Sequence, residues 1–176
     1  MTWILTASGK HFDFADPQPD QIDILDIAQG LSNECRYTGQ CKVYYSVAQH
    51  SVIASQIIVH YAPECALEAL LHDASEAYCK DIPTPLKRLL PDYKIIEARV
   101  QKVIRAKFML PAEESKAVKR ADMVLLKTEK RDLMPRDDAD WGIPFYVRPL
   151  PRPIVAVHAG IAHNQFIKRY VELTRG

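Results

Sequence analysis

Residues 71–87, LHDASEAYCKDIPTPLK, bring together side chains that ligate metals and transfer protons. His72 and Asp73 are adjacent, Glu76 follows three residues later, and Asp81 precedes the two prolines. Residues three and four apart share one side of a helix, so His72, Asp73 and Glu76 are predicted to face one cleft. Imidazole nitrogens and carboxylate oxygens bind divalent metal ions, so the stretch is a candidate metal-dependent catalytic site.

Two side chains elsewhere in the chain could complete such a site. His50 lies on a helical stripe of apolar residues and is predicted to point inward with them: Val47, Ile53, Ala54 and Ile57. Asp122 is predicted to point inward in the same way, beside Val118, Leu125 and Leu126. A carboxylate buried in such surroundings is costly unless a charge or a metal compensates it.

Each of these groups taken singly has an ordinary structural explanation, as a core histidine, a cap or an ion-pair partner. Together, His50, His72, Asp73 and Asp122 are metal-ligand types predicted on three separate helices. A shell of two imidazoles and two carboxylates suits one divalent ion, with positions left for water and substrate oxygens. The ligand types leave the ion open among Mn, Co, Fe, Ni, Zn and Mg.

The elements that must position these residues are predicted to be almost all helical. WILTASGKHFDF alternates around a Ser-Gly turn, which predicts a short hairpin within residues 1–15. Apolar spacing predicts a helical bundle over residues 23–175, with helices at 23–36, 44–61, 63–78, 92–108, 111–133 and 162–173. Arg36 is expected at the end of the first helix, Pro111 in the first turn of the fifth, and residues 141–155 in an extended loop.

Composition excludes several classes of function. The length of 176 residues predicts one domain, 1–176, and the net charge of +1 is spread without the basic face of a protein that binds nucleic acid polymers. The sequence contains neither a membrane span nor a secretion signal, which predicts a cytoplasmic protein without a membrane partner. The four cysteines lack the spacing of a thiolate zinc site and are expected to be reduced: Cys35, Cys41, Cys65 and Cys79.

The ordered motif His50, His72-Asp73, Asp122 resembles the H…HD…D signature of the HD-domain metal-dependent phosphohydrolases. HDASEAYCKDIPTPLK is similar to a block of the bacterial 5'-deoxynucleotidases, and Arg36-Tyr37 stands where those enzymes have an Arg followed by an aromatic residue. The whole chain, roughly residues 1 to 175, most resembles small phage and prophage HD hydrolases. The resemblance implies a mostly α fold, the HD-domain helical bundle, which in this chain carries a short N-terminal β-hairpin.

The resemblance also implies roles for individual residues. His50, His72, Asp73 and Asp122 match the metal ligands, and Glu76 matches a carboxylate that catalysis requires, beside Asp73. Arg36 matches the group that orients the phosphate. The remaining matches contact sugar, base or phosphate: Tyr37, Asp81, Ile82, Pro83, Thr84 and Lys87. For Lys87 a solvated surface role is the alternative. Family members assemble as dimers or larger rings, which implies a homo-oligomer.

The function implied is hydrolysis of a deoxynucleoside monophosphate to deoxynucleoside and phosphate. The alternatives are a phage-type deoxynucleoside triphosphohydrolase, for example a dATPase, and a non-catalytic nucleotide sensor or structural-metal bundle. Two departures from the 5'-deoxynucleotidases bear on the substrate: Tyr37 replaces a Trp that disfavours ribose, and the interval from His50 to His72 is shorter. Ala77 after Glu76 and the lack of a GYP motif disfavour alarmone hydrolases and cyclic-dinucleotide phosphodiesterases.

Overall fold

The computed structural model describes residues 1–175 and is mostly helical, with a two-stranded antiparallel hairpin at the N-terminus. Strand β1 (Trp3–Leu5) pairs with β2 (His11–Asp13), placing Ile4 opposite Phe12. Within the described residues the chain then forms eight α-helices: α1 (Ile24–Asn33), α2 (Val47–Ile58), α3 (Ala66–Leu70), α4 (Glu76–Cys79), α5 (Thr84–Lys87), α6 (Pro91–Lys107), α7 (Lys116–Asp132) and α8 (Ala159–Thr174). The predicted combination of a helical bundle and a hairpin is confirmed.

An aromatic side chain of the hairpin and a carboxylate of α1 help to attach the hairpin to the bundle. Phe12 is fully buried and its ring stacks on that of Tyr78, with 4.0 Å between centroids. At the turn, Ser8 donates hydrogen bonds from its backbone nitrogen and its hydroxyl to the two oxygens of Asp26, each at 2.7 Å.

Helix α2 runs through the middle of the bundle and packs against α1, α3, α7 and α8. It begins where the Ser46 hydroxyl accepts a hydrogen bond from Gln49 N, an N-cap that satisfies one of the otherwise free amides of the first turn. Because neighbours surround α2, the inward prediction for His50 is confirmed, and its side chain is fully buried.

The helix predicted over residues 63–78 is wrong, because it is broken at residues 71–75. The side-chain amide of Gln101, on α6, hydrogen-bonds to the backbone at this break. Its Nε2 donates to the carbonyl of His72 at 2.8 Å, and its Oε1 accepts from Ser75 N at 3.1 Å. Backbone groups bonded to a side chain are not free for the regular i to i−4 ladder. His72 and Asp73 therefore lie in a turn, and Glu76 begins the next helix, α4.

Other predicted boundaries shift for local reasons. Helix α1 ends at Asn33, so Arg36 lies in the following turn and not at the helix end. Helix α7 begins at Lys116 because the Ser115 hydroxyl accepts from Val118 N, which leaves Pro111 outside it. The Pro111 carbonyl instead accepts a hydrogen bond from Arg105 Nε at 2.7 Å.

The segment between α7 and α8 is irregular, as predicted for residues 141–155. The four cysteines are free thiols. Over residues 1–175, no helix combines the length and the apolar character that crossing a membrane requires.

Candidate functional site

Ligand atoms from three elements converge at the centre of the bundle. His50 Nε2 lies 3.3 Å from His72 Nε2 and 3.4 Å from Asp122 Oδ1. One ligand atom from each of these three residues lies within 4.8 Å of the others. An ion with bonds of about 2.1 Å separates neighbouring ligand atoms by about 3.0 to 3.4 Å, so the group could hold a metal ion.

Asp73 lies at the edge of the same group. Its Oδ2 is 3.2 Å from His72 Nε2 and 3.6 Å from His50 Nε2. The same oxygen is 3.4 Å from Arg36 Nη1. The carboxylate therefore stands between the two imidazoles and the guanidinium.

The outer nitrogen of each imidazole has a fixed acceptor. His50 Nδ1 is 2.6 Å from Glu129 Oε1, and His72 Nδ1 is 2.8 Å from the carbonyl of Ala69. These partners assign the proton to Nδ1 in both rings, because neither acceptor offers a hydrogen. When both rings are neutral, their Nε2 lone pairs face one another, an arrangement that a cation between them stabilises.

The charges at the centre also favour a cation. Burial lowers the pKa of the His72 imidazole, but Asp73 and then Asp122 outweigh it and raise that pKa to about 10. Burial acts to raise the pKa of the Asp73 carboxyl, yet His72, His50 and Arg36 hold it below its usual range. The carboxylates thus stabilise positive charge at this point.

Arg36 presents a buried guanidinium between two carboxylates. It is only 9% exposed, and its Nε lies 3.3 Å from Glu129 Oε2, while Nη1 faces Asp73. The Nε–H is not aligned with that oxygen and donates no hydrogen bond to any described residue. The contact with Glu129 is therefore an ion pair, and it leaves the Nε–H of the guanidinium without an acceptor among the described residues.

The turn that carries Arg36 is strained. Tyr37 and Thr38 adopt φ values of 56° and 53°, the left-handed region that costs residues with a Cβ about 1 to 3 kcal/mol each. The Tyr37 hydroxyl donates to Glu129 Oε2 at 2.6 Å. This bond ties the strained turn to α7.

Glu76 is a second buried carboxyl, beside the ligand group. Burial raises its pKa, and Asp73 and Asp81 raise it further, although Lys87 opposes them. Its Oε1 is 3.4 Å from Lys87 Nζ, and its buried Oε2 receives no hydrogen bond from any residue in 1–175. A carboxyl in this environment binds a proton readily and has one oxygen available for a water or a hydroxyl.

The other residues singled out from the sequence lie around this centre at different depths. Asp81 is half-buried, and burial raises its pKa while Arg36 opposes the shift. Ile82 and Pro83 are half-buried, whereas Thr84 is exposed at the start of α5. Asp122 reaches this centre with its Oδ1, 3.4 Å from His50 Nε2, and 31% of its side chain is exposed.

Two residues of the site were missed in the sequence. Glu129 is fully buried; burial raises the pKa of its carboxyl, but Arg36 and His50 outweigh this and lower it to about 2. It follows Asp122 by two helical turns, a spacing that could have revealed it. Trp141 lies in the predicted loop with its ring 5.9 Å from that of Tyr37, and no local pattern indicated this contact.

Comparison with known proteins identifies relatives over most of the chain. The uncharacterized protein YfdR of Escherichia coli K12 is 47% identical over 182 aligned residues, which cover 99% of this chain and 97% of YfdR. An uncharacterized protein of Rhodobacter capsulatus is 33% identical over 149 residues, covering 78% of this chain and 76% of that protein. No protein-family model matches the sequence.

Proposed function

The chain belongs to the family of YfdR, and we propose that it is a metal-dependent phosphohydrolase acting on deoxynucleoside phosphates. One observation carries the proposal: His50 Nε2 and His72 Nε2 face each other at 3.3 Å with their outer nitrogens already engaged. Carboxylates adjoin both rings, and a buried arginine adjoins the carboxylates. This is the arrangement expected for a metal centre that handles an anionic substrate.

The proposed ligands are His50, His72, Asp73 and Asp122. Asp73 is included because its Oδ2 lies 3.2 Å from His72 Nε2. When bound, a divalent ion would supply Lewis-acid charge to a phosphate oxygen and make a water more acidic. Four protein ligands would leave coordination positions for both.

Two side chains of this protein are proposed to act on the phosphate and on the attacking water. Arg36, whose Nη1 donates one hydrogen bond to Asp73, would bind phosphate oxygens through the terminal nitrogens of its guanidinium and would balance charge that builds up during transfer. Glu76 would orient the water and accept its proton at Oε2, the oxygen without a hydrogen bond from the described residues. Its buried position beside Lys87 supports this assignment.

The nucleoside is proposed to lie over the segment that joins α4 to α5 and against Tyr37. The half-buried Asp81 carboxylate can accept a hydrogen bond from a sugar hydroxyl. Pro83 and Pro85 restrict the backbone on either side of Thr84, so little conformational entropy is lost when a nucleoside is held there. Ile82 offers apolar contact to the sugar or base.

A monophosphate is the leading substrate, and Lys87 is the observation that keeps a triphosphate as the alternative. A phosphate monoester carries about −1.5 to −2 charges at pH 7, which one divalent ion and Arg36 can balance. A longer phosphate chain needs a further cation. Lys87 is the proposed further cation. Its Nζ lies 3.4 Å from Glu76 and 2.6 Å from Glu97, and 19% of its side chain is exposed.

Product analysis tests the proposal. Protein loaded separately with Mn²⁺, Co²⁺ or Zn²⁺ is incubated with each deoxynucleoside mono- and triphosphate, and nucleoside, orthophosphate and triphosphate are resolved. Nucleoside and orthophosphate from monophosphates support the leading function, whereas triphosphate or stepwise phosphate release from one triphosphate supports the alternative. Metal-loaded protein that binds nucleotides but forms no product contradicts both and indicates a nucleotide sensor.

A further inference from the structure

We infer that Glu129 is a positioning residue that orients both the metal ligand His50 and the phosphate-binding Arg36. The inference rests on the proposed function and adds to it a residue that lies outside the proposed ligand and substrate contacts. Glu129 acts through its neighbours, since its carboxylate is fully buried and its oxygens are bonded to or paired with His50, Tyr37 and Arg36.

The two oxygens of Glu129 serve different parts of the site. Oε1 accepts from His50 Nδ1 at 2.6 Å, which fixes the plane of the imidazole and directs Nε2 at the other ligands. Oε2 accepts from the Tyr37 hydroxyl at 2.6 Å and lies 3.3 Å from Arg36 Nε. One carboxylate therefore spans α2 and the turn after α1.

The strained turn explains why such a restraint is needed. Tyr37 and Thr38 both have positive φ, and chain segments with this conformation relax unless surrounding contacts hold them. Arg36 immediately precedes them, and its Nε donates no hydrogen bond to the described residues. The Tyr37 hydroxyl is thus the directed link between the turn and Glu129.

Helix α7 makes the coupling rigid. Asp122 and Glu129 lie two turns apart on this helix, so one rigid element supplies a proposed ligand and the restraint on two other groups. A carboxylate that orients the outer nitrogen of a ligating histidine raises metal affinity, typically by about 10-fold to 100-fold. We expect the effect of Glu129 on metal binding to fall in this range.

Binding measurements on three full-length variants test the inference. Glu129→Gln keeps the shape and removes the charge, and should weaken Co²⁺ binding about 10-fold to 100-fold and weaken inorganic phosphate binding to the Co²⁺-saturated protein. Tyr37→Phe removes only the hydroxyl, and should weaken phosphate binding about 3-fold to 10-fold while Co²⁺ affinity stays within about twofold of the wild type. Asp26→Asn alters a buried carboxylate at the hairpin and should change neither affinity.

The outcomes separate this inference from the proposed function. Wild-type protein that binds neither Co²⁺ nor phosphate overturns the proposed function, and the inference with it. Wild-type protein that binds both, together with Glu129→Gln protein that has lower thermal stability but unchanged affinities, overturns only the positioning role. Should Glu129→Gln fail to fold, Tyr37→Phe decides, because an unchanged phosphate affinity contradicts the restraint on Arg36.

Discussion

Two buried arginine–carboxylate pairs in this molecule are built differently. Arg105 donates from Nη2 to Glu68 Oε1 at 2.7 Å, a short and directed hydrogen bond. Arg36 brings its Nε to 3.3 Å from Glu129 Oε2 without aligning the N–H. The first pair makes a charge-assisted hydrogen bond, whereas the second keeps the charges together and leaves the Arg36 Nε–H without an acceptor among the described residues.

The surroundings of the two pairs differ in the same way, since those of Arg105 are hydrogen-bonded and those of Arg36 are not fully so. Glu68 also accepts from Ser115 N at 2.9 Å, and Arg105 also donates from Nε to the carbonyl of Pro111, so the pair fastens α3 and α6 to the start of α7. Around Arg36 the backbone is strained, and the nearby Glu76 Oε2 is buried without a hydrogen bond from the described residues. Saturated contacts indicate a stabilising role, and unsaturated buried groups indicate a binding role.

The largest expected effect is on catalysis and should leave the structure intact. Glu76→Gln removes the proposed proton acceptor while preserving size, so turnover of the deoxynucleotide substrate should fall about 100-fold to 10,000-fold. Co²⁺ affinity should stay within about threefold of the wild type, because Glu76 is not a proposed ligand. Steady-state kinetics and Co²⁺ titration check this, and wild-type turnover would remove Glu76 from the mechanism.

The saturated pair should show the opposite behaviour. Glu68→Gln leaves Arg105 buried without its counter-charge, and breaking a buried pair in this way should lower the free energy of unfolding by about 3 kcal/mol. Urea unfolding of the wild type and the variant measures this. Co²⁺ affinity and turnover of the folded variant should remain unchanged, and a loss of either one at full stability would contradict the division drawn between the two pairs.

Arg36→Lys tests whether the arginine of the Arg36–Glu129 pair binds phosphate. Lysine keeps the positive charge beside Glu129 and Asp73 but lacks the planar fork of donors, so inorganic phosphate should bind about tenfold more weakly, equivalent to about 1.4 kcal/mol. Isothermal titration of the Co²⁺-saturated protein measures the change. Arg99→Lys is the matched control, because Arg99 donates to the carbonyls of Phe14 and Ala15, and phosphate affinity equal in both variants would contradict the assignment.

The smallest effect is expected at Trp141, on the outer side of Tyr37. Aromatic pairs contribute about 0.5 to 1.5 kcal/mol beyond their buried area, so Trp141→Ala should raise KM for the nucleotide a few-fold by loosening Tyr37. Affinity for inorganic phosphate, which has no base or sugar, should not change. If phosphate binding weakens as much as nucleotide binding, Trp141 acts on the Arg36 turn and not on the nucleoside.

Local patterns predicted most of the fold. The alternation around Ser-Gly indicated the hairpin, and apolar residues at helical spacing indicated the amphipathic helices, because each signal depends on neighbours within a few residues. The break at residues 71–75 was not predictable in this way. It depends on Gln101, which lies on another helix and bonds the carbonyl of His72.

The residues of the candidate site were also identified only in part from local patterns. His50, His72, Asp73 and Asp122 were identified by type and spacing, and the structure brings their side chains together. The prediction that His72 and Glu76 share one face of a helix was wrong. His72 lies in a turn, and Glu76 is the first residue of α4. In the sequence, Glu129 looks like any solvent-exposed glutamate on a helix. Only its contacts in the folded protein distinguish it from such residues.

Local sequence signals specified which chemical groups are present and that His50 and Asp122 lie on amphipathic helices, since helix formation and amphipathicity are encoded over short stretches. Tertiary structure decided which of those groups meet. It buried Glu129 against His50, Tyr37 and Arg36, held two residues at positive φ, and left Arg36 Nε and Glu76 Oε2 without hydrogen bonds from the described residues. Burial, strain and unsatisfied polar atoms arise only when distant segments pack together, so no local pattern reports them.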